Sequence, residues 1–177
     1  DVERSRGLGD VYKRQVMPRS QSTSPPKKKA TPAIATKREA GFYKQVKEAA
    51  QRSSRQLLLT RIENWVGAGI PDLMICDEKG DFHFVELKFL TSNAVTLQPS
   101  QVAWLSRHSH ASCWILIKKQ TKPTEPAECL LYPANVAVDL KMDGLEAVEP
   151  IFRCEQPFQW ETTVSYTHLR AHETSLH

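Results

Sequence analysis

A charged turn separates two short apolar segments in residues 71–88, PDLMICDEKGDFHFVELK. Gly80 gives the backbone the freedom that a tight turn needs, so the pattern predicts two paired strands, at 72–77 and 82–89. Charged side chains within a sheet are costly to bury unless they have partners. The charged residues at the strand positions of this hairpin therefore constrain both the fold and the function of the chain.

Side chains of the second strand alternate between the two faces of the sheet. One face receives Glu86 and Lys88 side by side, and Asp72 begins the neighbouring strand. An isolated Glu-x-Lys is most often a surface pair, and an Asp after a Pro is most often a turn residue, but their combination is much rarer. The opposite face receives apolar side chains that we expect to pack against a helix, Val85, Leu87 and Phe89.

Helical spacing of apolar residues occurs before and after the hairpin. In residues 38–52 it forms one stripe, in which Glu39 falls on the core-facing side whereas Glu48 lies on the opposite face. The other predicted elements are strands at 56–65, 113–118 (central) and 129–132, a helix from Pro99 to His110, and a short helix from Ala134 to Met142 that Gly144 ends. The order helix, three strands, helix, strand indicates an α/β fold in which helices cover a mixed sheet.

Composition indicates an ordinary soluble globular protein. The 177 residues suit one domain with tails, and 40% hydrophobic with 25% charged residues is a common balance. No apolar run approaches the ~18 residues of a membrane span, and the N-terminus lacks the apolar segment of a signal peptide, so we expect a cytoplasmic protein. Four scattered cysteines predict buried free thiols rather than a zinc site, Cys76, Cys113, Cys129 and Cys154.

Four segments are predicted along the chain. Residues 1–37 form a disordered basic arm, 38–120 a folded core, 121–163 a C-terminal extension that covers the sheet or forms a subunit interface, and 164–177 a disordered tail. Residues 1–15 and the tail resemble translated sequencing adapters. The basic excess lies mostly in the arm and the C-terminal third is acidic, so net charge argues only weakly for a nucleic-acid-binding surface on the core.

Two carboxylates beside a lysine suit a hard divalent cation. Mg²⁺ prefers oxygen ligands and is typically bound by one or two carboxylates plus substrate phosphate. Such a cation activates water and screens phosphate charge. Lys88 would orient or help deprotonate that water, or stabilise the charge that develops on the phosphate.

Three motifs resemble the PD-(D/E)xK phosphodiesterase superfamily, and within it the Holliday-junction-resolvase-like and VRR-NUC nucleases. They are GIPDLMI at 69–75, FVELK at 84–88 and LQPSQVAWL at 97–105, and small phage-encoded nucleases also look similar around RIENWVGAGIPD. The resemblance covers about residues 38–120. It implies a restriction-endonuclease-like core of helix, three antiparallel strands, helix and strand, and a metal-dependent endonuclease that hydrolyses DNA.

The resemblance also implies roles for individual residues. The metal, Mg²⁺ or Mn²⁺, would be bound at Asp72, Glu86, Glu39 and Leu87, and Lys88 would position the water. Glu39 lies 33 residues before Asp72, a spacing similar to that of archaeal junction resolvases. Glu63 is the competing candidate for the third carboxylate.

Gln101 and three cations are secondary candidates. Gln101 follows the family's habit of a Gln on the helix after Glu-x-Lys, where it reaches the active-site edge or a phosphate, and a plain surface amide explains it equally well. Arg61, Lys118 and Lys119 would contact DNA phosphates, although solvated charges at strand ends explain them almost as well.

The expected partner is DNA, with branched DNA as one substrate, and no organic cofactor is expected. Junction resolution would require two active sites and hence a homodimer. A second hypothesis is a catalytically inactive nucleic-acid-binding module with the same fold. A third is an interaction protein that uses the acidic C-terminal third, for which charge is the only supporting feature.

Overall fold

The computed structural model describes residues 33–54, 56–62 and 68–158. Within them the chain forms three α-helices and six strands: α1 (Ala33–Arg52), β1 (Leu58–Arg61), β2 (Leu73–Cys76), β3 (Phe82–Leu90), α2 (Pro99–Arg107), β4 (Cys113–Lys119), β5 (Glu128–Pro133), α3 (Ala137–Asp143) and β6 (Phe152–Glu155). Two short 3₁₀ turns flank α3, at Ala134–Val136 and Gly144–Glu146. The prediction of an α/β fold with a mixed sheet is confirmed.

The six strands form one sheet in the order β1-β2-β3-β4-β5-β6. β3 and β4 are parallel, and every other neighbouring pair is antiparallel. A parallel pair needs a long crossover connection, which here contains α2. β4 is buried from Cys113 to Lys118, as expected for the apolar segment that was predicted to be central.

Each face of the sheet carries its own hydrophobic cluster. On one face α1 packs through Phe42 and Val46 onto alternate strand residues, among them Leu73, Val85 and Leu87. On the other face α2 and α3 pack through Leu105 and Leu140 onto the intervening strand residues, among them Ile115 and Ile117. The predicted direction of Val85 and Leu87 towards a helix is therefore confirmed.

Asp77 organises the turn between β2 and β3. Its Oδ1 accepts hydrogen bonds from the backbone N–H groups of Lys79, at 2.8 Å, and Asp81, at 2.9 Å. Gly80 has a φ of +86°, a left-handed conformation that glycine adopts without strain. This turn fixes the register in which Leu73 pairs with Val85.

The structure differs from the sequence prediction at the two ends of the fold. α1 begins at Ala33, so the arm assigned to 1–37 loses its last five residues to the helix. The sequence AIATK contains no Gly or Pro that would stop a helix from extending into it. Predicted α2 residues 108–110 form a turn instead, because the helix ends at Arg107.

The C-terminal extension does more than cover the sheet. Its strands β5 and β6 are part of the sheet, and only α3 lies over a face. β6 was not predicted, because two prolines, Pro150 and Pro157, closely flank a strand of four residues. Residues 1–32 and residues 159–177 lie outside the described residues, and these ranges include the adapter-like ends at 1–15 and 164–177.

No helix in the described part of the chain is both long and apolar enough to span a membrane. The four cysteines carry thiols, as predicted, but the prediction that they are buried holds only for Cys113 and Cys129, since Cys76 and Cys154 are half-buried.

Candidate active site

The β2–β3 hairpin brings Asp72 alongside Glu86. Leu73 pairs with Val85, so the same register extended by one residue sets Asp72 opposite Glu86. The Leu87 backbone N–H donates to Asp72 Oδ2 at 2.9 Å, which fixes this carboxylate where the paired part of β2 begins. The sequence expectation that the hairpin would bring these two carboxylates together matches the geometry.

Glu86 is fully buried, yet only one of its two carboxylate oxygens has partners. Oε1 accepts from Lys88 Nζ at 2.8 Å and from Gln101 Nε2. Oε2 is also buried and has no hydrogen-bond partner among the described residues. An unpaired buried carboxylate oxygen is costly, so the site is incomplete as a purely structural ion pair.

Gln101 is held with its amide nitrogen towards Glu86. The backbone N–H of Gln98 donates to Gln101 Oε1 at 2.9 Å, which leaves Nε2 as the group that reaches Glu86. Gln98 directly precedes α2, so the start of this helix determines the orientation of the amide. Gln101 thus contacts the site, whereas the role of the Gln98 backbone had no signal in the sequence.

Glu39 on α1 supplies a third carboxylate near the hairpin. Its half-buried side chain has a pKa above the ordinary value, raised by burial first; nearby Lys88 lowers it and Asp72 raises it. By contrast, Glu48 lies on the outer face of α1 with Lys44 and Arg52. The competing candidate Glu63 lies outside the described residues.

The site contains more negative charge than its lysine balances. The pKa of Glu86 is raised to about 7, first by burial and then by nearby Asp72 and Glu39, while Lys88 opposes the shift. Lys88 itself is 12% exposed. Carboxylates that disfavour each other's ionised form in this way form an environment that a cation would stabilise.

The donor set fits a hard divalent cation. Glu86 Oε2 and the carboxylate of Asp72 are oxygen ligands, and the buried apolar side chain of Leu87 leaves only its main-chain carbonyl as a ligand. The N–H and C=O of a strand residue point to the same side, so this carbonyl is directed to the side on which Leu87 N–H meets Asp72. Among the described residues, no three or more His, Cys, Asp or Glu side chains form a preformed metal site. The arrangement therefore suits a cation held by few carboxylates, not one enclosed by protein ligands.

The cationic candidates from the sequence differ in accessibility. Arg61 is exposed, and its guanidinium carbon lies 4.9 Å from the centre of the Tyr43 ring. Lys118 is buried, donates to Gln45 Oε1 at 2.8 Å and has a pKa lowered by burial, so it is an internal cation. Lys119 lies 3.8 Å from Glu128 Oε2. Of the three, only Arg61 offers an uncommitted charge on the surface.

Gly69 allows the loop before Asp72 to approach the first turn of α2. Its φ is +95°, and a Cβ at this position would lie 2.1 Å from the carbonyl oxygen of Ser100. Any other residue would therefore displace either the loop or the turn that holds Gln101.

The residues of the site come from four elements: α1, β2, β3 and α2.

Comparison of the chain with protein-family models, curated proteins and solved structures finds no match.

Proposed function

We propose that the protein is an endonuclease that hydrolyses phosphodiester bonds in DNA and depends on Mg²⁺ or Mn²⁺. The observation that supports this most is the buried carboxylate of Glu86, which lies opposite Asp72 in the hairpin. One of its oxygens is bonded to Lys88 and Gln101, and the other has no hydrogen-bond partner among the described residues. The element order α1-β1-β2-β3-α2-β4 agrees with the restriction-endonuclease-like core that the sequence motifs imply.

Residues of the hairpin would hold the cation. Asp72 and Glu86 would bind it through their carboxylates, the Leu87 carbonyl would add a main-chain oxygen, and Glu39 would complete the set. When bound, a divalent cation supplies Lewis acidity and positive charge against the phosphate. Leu87 N–H and Gln101 hold the two principal carboxylates in fixed positions beforehand, which lowers the cost of ordering them.

Lys88 has a separate role in this proposal. Its ammonium group lies beside Glu86 and is partly exposed, so it reaches a substrate without leaving its carboxylate partner. From there it donates a hydrogen bond to the attacking water or to a non-bridging phosphate oxygen, where negative charge grows in the transition state. Glu86 keeps this lysine in place.

The proposal is tested by DNA cleavage with Mg²⁺ under single-turnover conditions. Asp72→Asn and Lys88→Met should each lower the cleavage rate by about 100-fold or more, as expected when a group acting in the transition state is removed. Glu48→Gln is the matched control, because it removes a carboxylate from the outer face of α1. Cleavage by both site variants at the rate of the unmodified protein would overturn the proposal.

The substrate panel for this assay distinguishes the subclasses. A four-way junction, a flap, a single strand and a plain duplex are compared at equal concentration. Preference for the junction together with a dimeric mass would support a resolvase-like enzyme, since resolution needs two cuts. Cleavage of plain duplex at the same rate as the junction would indicate a nuclease that does not select DNA by its structure.

The alternative is a DNA-binding module that has the same fold but no activity. It is favoured by one observation, that no preformed metal site is found within the described residues. Such a protein would bind DNA and would leave every substrate of the panel intact with Mg²⁺ and with Mn²⁺.

A further inference from the structure

Two exposed arginine side chains are each held against an aromatic ring. The guanidinium carbon of Arg38 lies 5.4 Å from the centre of the Phe89 ring, and that of Arg61 lies 4.9 Å from the centre of the Tyr43 ring. Both arginines are exposed, and both rings are partly buried. A cation at this distance over a ring face is attracted by the quadrupole of the ring.

Both pairs lie at the end of the sheet where the carboxylates lie, on the face that α1 covers. Arg38 directly precedes Glu39, and its ring partner Phe89 directly follows Lys88. Arg61 pairs in the sheet with Leu73, the residue after Asp72. Its ring partner Tyr43 lies one helical turn after Glu39 on α1. Glu39 and Lys88 thus each have a member of a pair next to them in the sequence, and Arg61 lies opposite the residue that follows Asp72.

We infer that Arg38 and Arg61, each supported by its ring, form a contact surface for the phosphates of duplex DNA beside the carboxylates. The inference rests on the proposed function, from which it takes DNA as the ligand. Beyond that function, it specifies where the DNA lies on the protein. It also specifies that the protein binds the phosphate backbone and does not read the base sequence.

The chemistry of the pairs favours phosphate contacts over base contacts. A guanidinium has five donors in a planar arrangement that matches phosphate oxygens, and stacking on a ring orders it before binding. The ring faces under the guanidinium groups are covered by them, so those faces do not serve as platforms for unpaired bases. Lys118 also approaches the Phe89 ring, at 6.0 Å, and adds positive charge behind it. Contacts to phosphate fix position but read no sequence.

The other arginine of α1 provides a matched control. Arg52 lies on the same helix and is exposed, but its guanidinium lies 3.3 Å from Glu48 Oε2 and it has no ring partner among the described contacts. Its charge is therefore already balanced, and its removal should leave DNA binding unchanged.

The test measures the salt dependence of DNA binding by fluorescence anisotropy with the full chain in EDTA, so that neither cleavage nor cation binding contributes. For a protein on duplex DNA, each phosphate contact contributes about 0.9 to the slope of log K against log salt. Arg38→Gln and Arg61→Gln should each reduce the slope by about 0.9, the double variant by about 1.8, and Arg52→Gln not at all. Three duplexes of unrelated sequence should give the same reductions.

Two results would overturn the inference. One is a slope in Arg38→Gln and Arg61→Gln that equals that of Arg52→Gln, with all variants unfolding at the same temperature. The other is a loss of binding that is confined to one of the three sequences. The proposed function fails separately: reduced slopes in a protein that never cleaves DNA contradict the nuclease and support this surface, whereas cleavage with unchanged slopes contradicts the surface alone.

Discussion

At the scale of single residues, Glu86 is a costly group for the fold to bury. It is the only fully buried carboxylate among the described residues, and one of its oxygens lacks a partner there. A buried Glu–Lys pair with an unpaired oxygen is a weak source of stability, because desolvation opposes the attraction between the charges. The cost of this arrangement is understandable if the carboxylate is kept for a cation.

Replacing Glu86 by Gln should stabilise the cation-free protein at alkaline pH and not at acidic pH. The pKa of Glu86 is raised from its ordinary value of 4.5 to about 7, so folding favours the protonated form. The stability that this form provides is fully present below pH 4.5 and is lost as the pH rises through about 7. One pKa unit corresponds to about 1.4 kcal/mol, so Glu86→Gln should gain on the order of 3 kcal/mol at pH 8.

Urea unfolding in EDTA at several pH values measures this gain. The difference between Glu86→Gln and the unmodified protein should grow between pH 4.5 and about 7 and then level off. A difference that is constant with pH would show that the fold tolerates the charged carboxylate without a cation.

At the scale of secondary-structure elements, the site depends on the position of α2 relative to β3. The loop that contains Gly69 touches the first turn of α2, and that turn orients Gln101 through the backbone of Gln98. Gln101 in turn holds one oxygen of Glu86. A change in the loop should therefore shift the first turn of α2 and with it the side chain of Gln101, which holds the Glu86 carboxylate.

Two glycine substitutions separate backbone strain from this contact. Gly69 and Gly80 both have positive φ, but a Cβ at Gly80 would meet nothing within 4 Å, whereas one at Gly69 would meet the Ser100 carbonyl oxygen at 2.1 Å. Gly80→Ala should cost about 1–2 kcal/mol from the left-handed conformation alone. Gly69→Ala should cost about 1–3 kcal/mol more from the steric overlap and should also slow cleavage.

Denaturant unfolding and cleavage rates of both variants check this expectation. Equal free energies of unfolding for Gly69→Ala and Gly80→Ala would contradict the role of the loop in positioning α2. Full cleavage activity in Gly69→Ala would show that the position of the loop does not affect catalysis.

At the scale of the whole molecule, features set by local periodicity were predictable and those set by tertiary contacts were not. The turn at Gly80 and the alternation of β3 suffice to bring Asp72, Glu86 and Lys88 together. The helical stripe of α1 likewise separates Glu39 from Glu48.

The missed features depend on packing between distant segments. The Gln98 backbone contact requires α2 to lie over β3, and the ring under Arg38 requires α1 to cross the end of the same strand. Lys118 looked like a surface cation, but α1 covers it and gives it Gln45 as a partner. One signal was available for Arg38, its position directly before a core-facing acid.

Binding of a divalent cation by the carboxylates of this assembled site is the central claim, and titration calorimetry with Mn²⁺ tests it most directly. The unmodified protein and Glu48→Gln should bind Mn²⁺ with equal affinity at one site. Glu86→Gln should bind at least about 10-fold more weakly, a loss of about 1.4 kcal/mol. Absence of Mn²⁺ binding by the unmodified protein, or equal affinity in Glu86→Gln, would contradict the account.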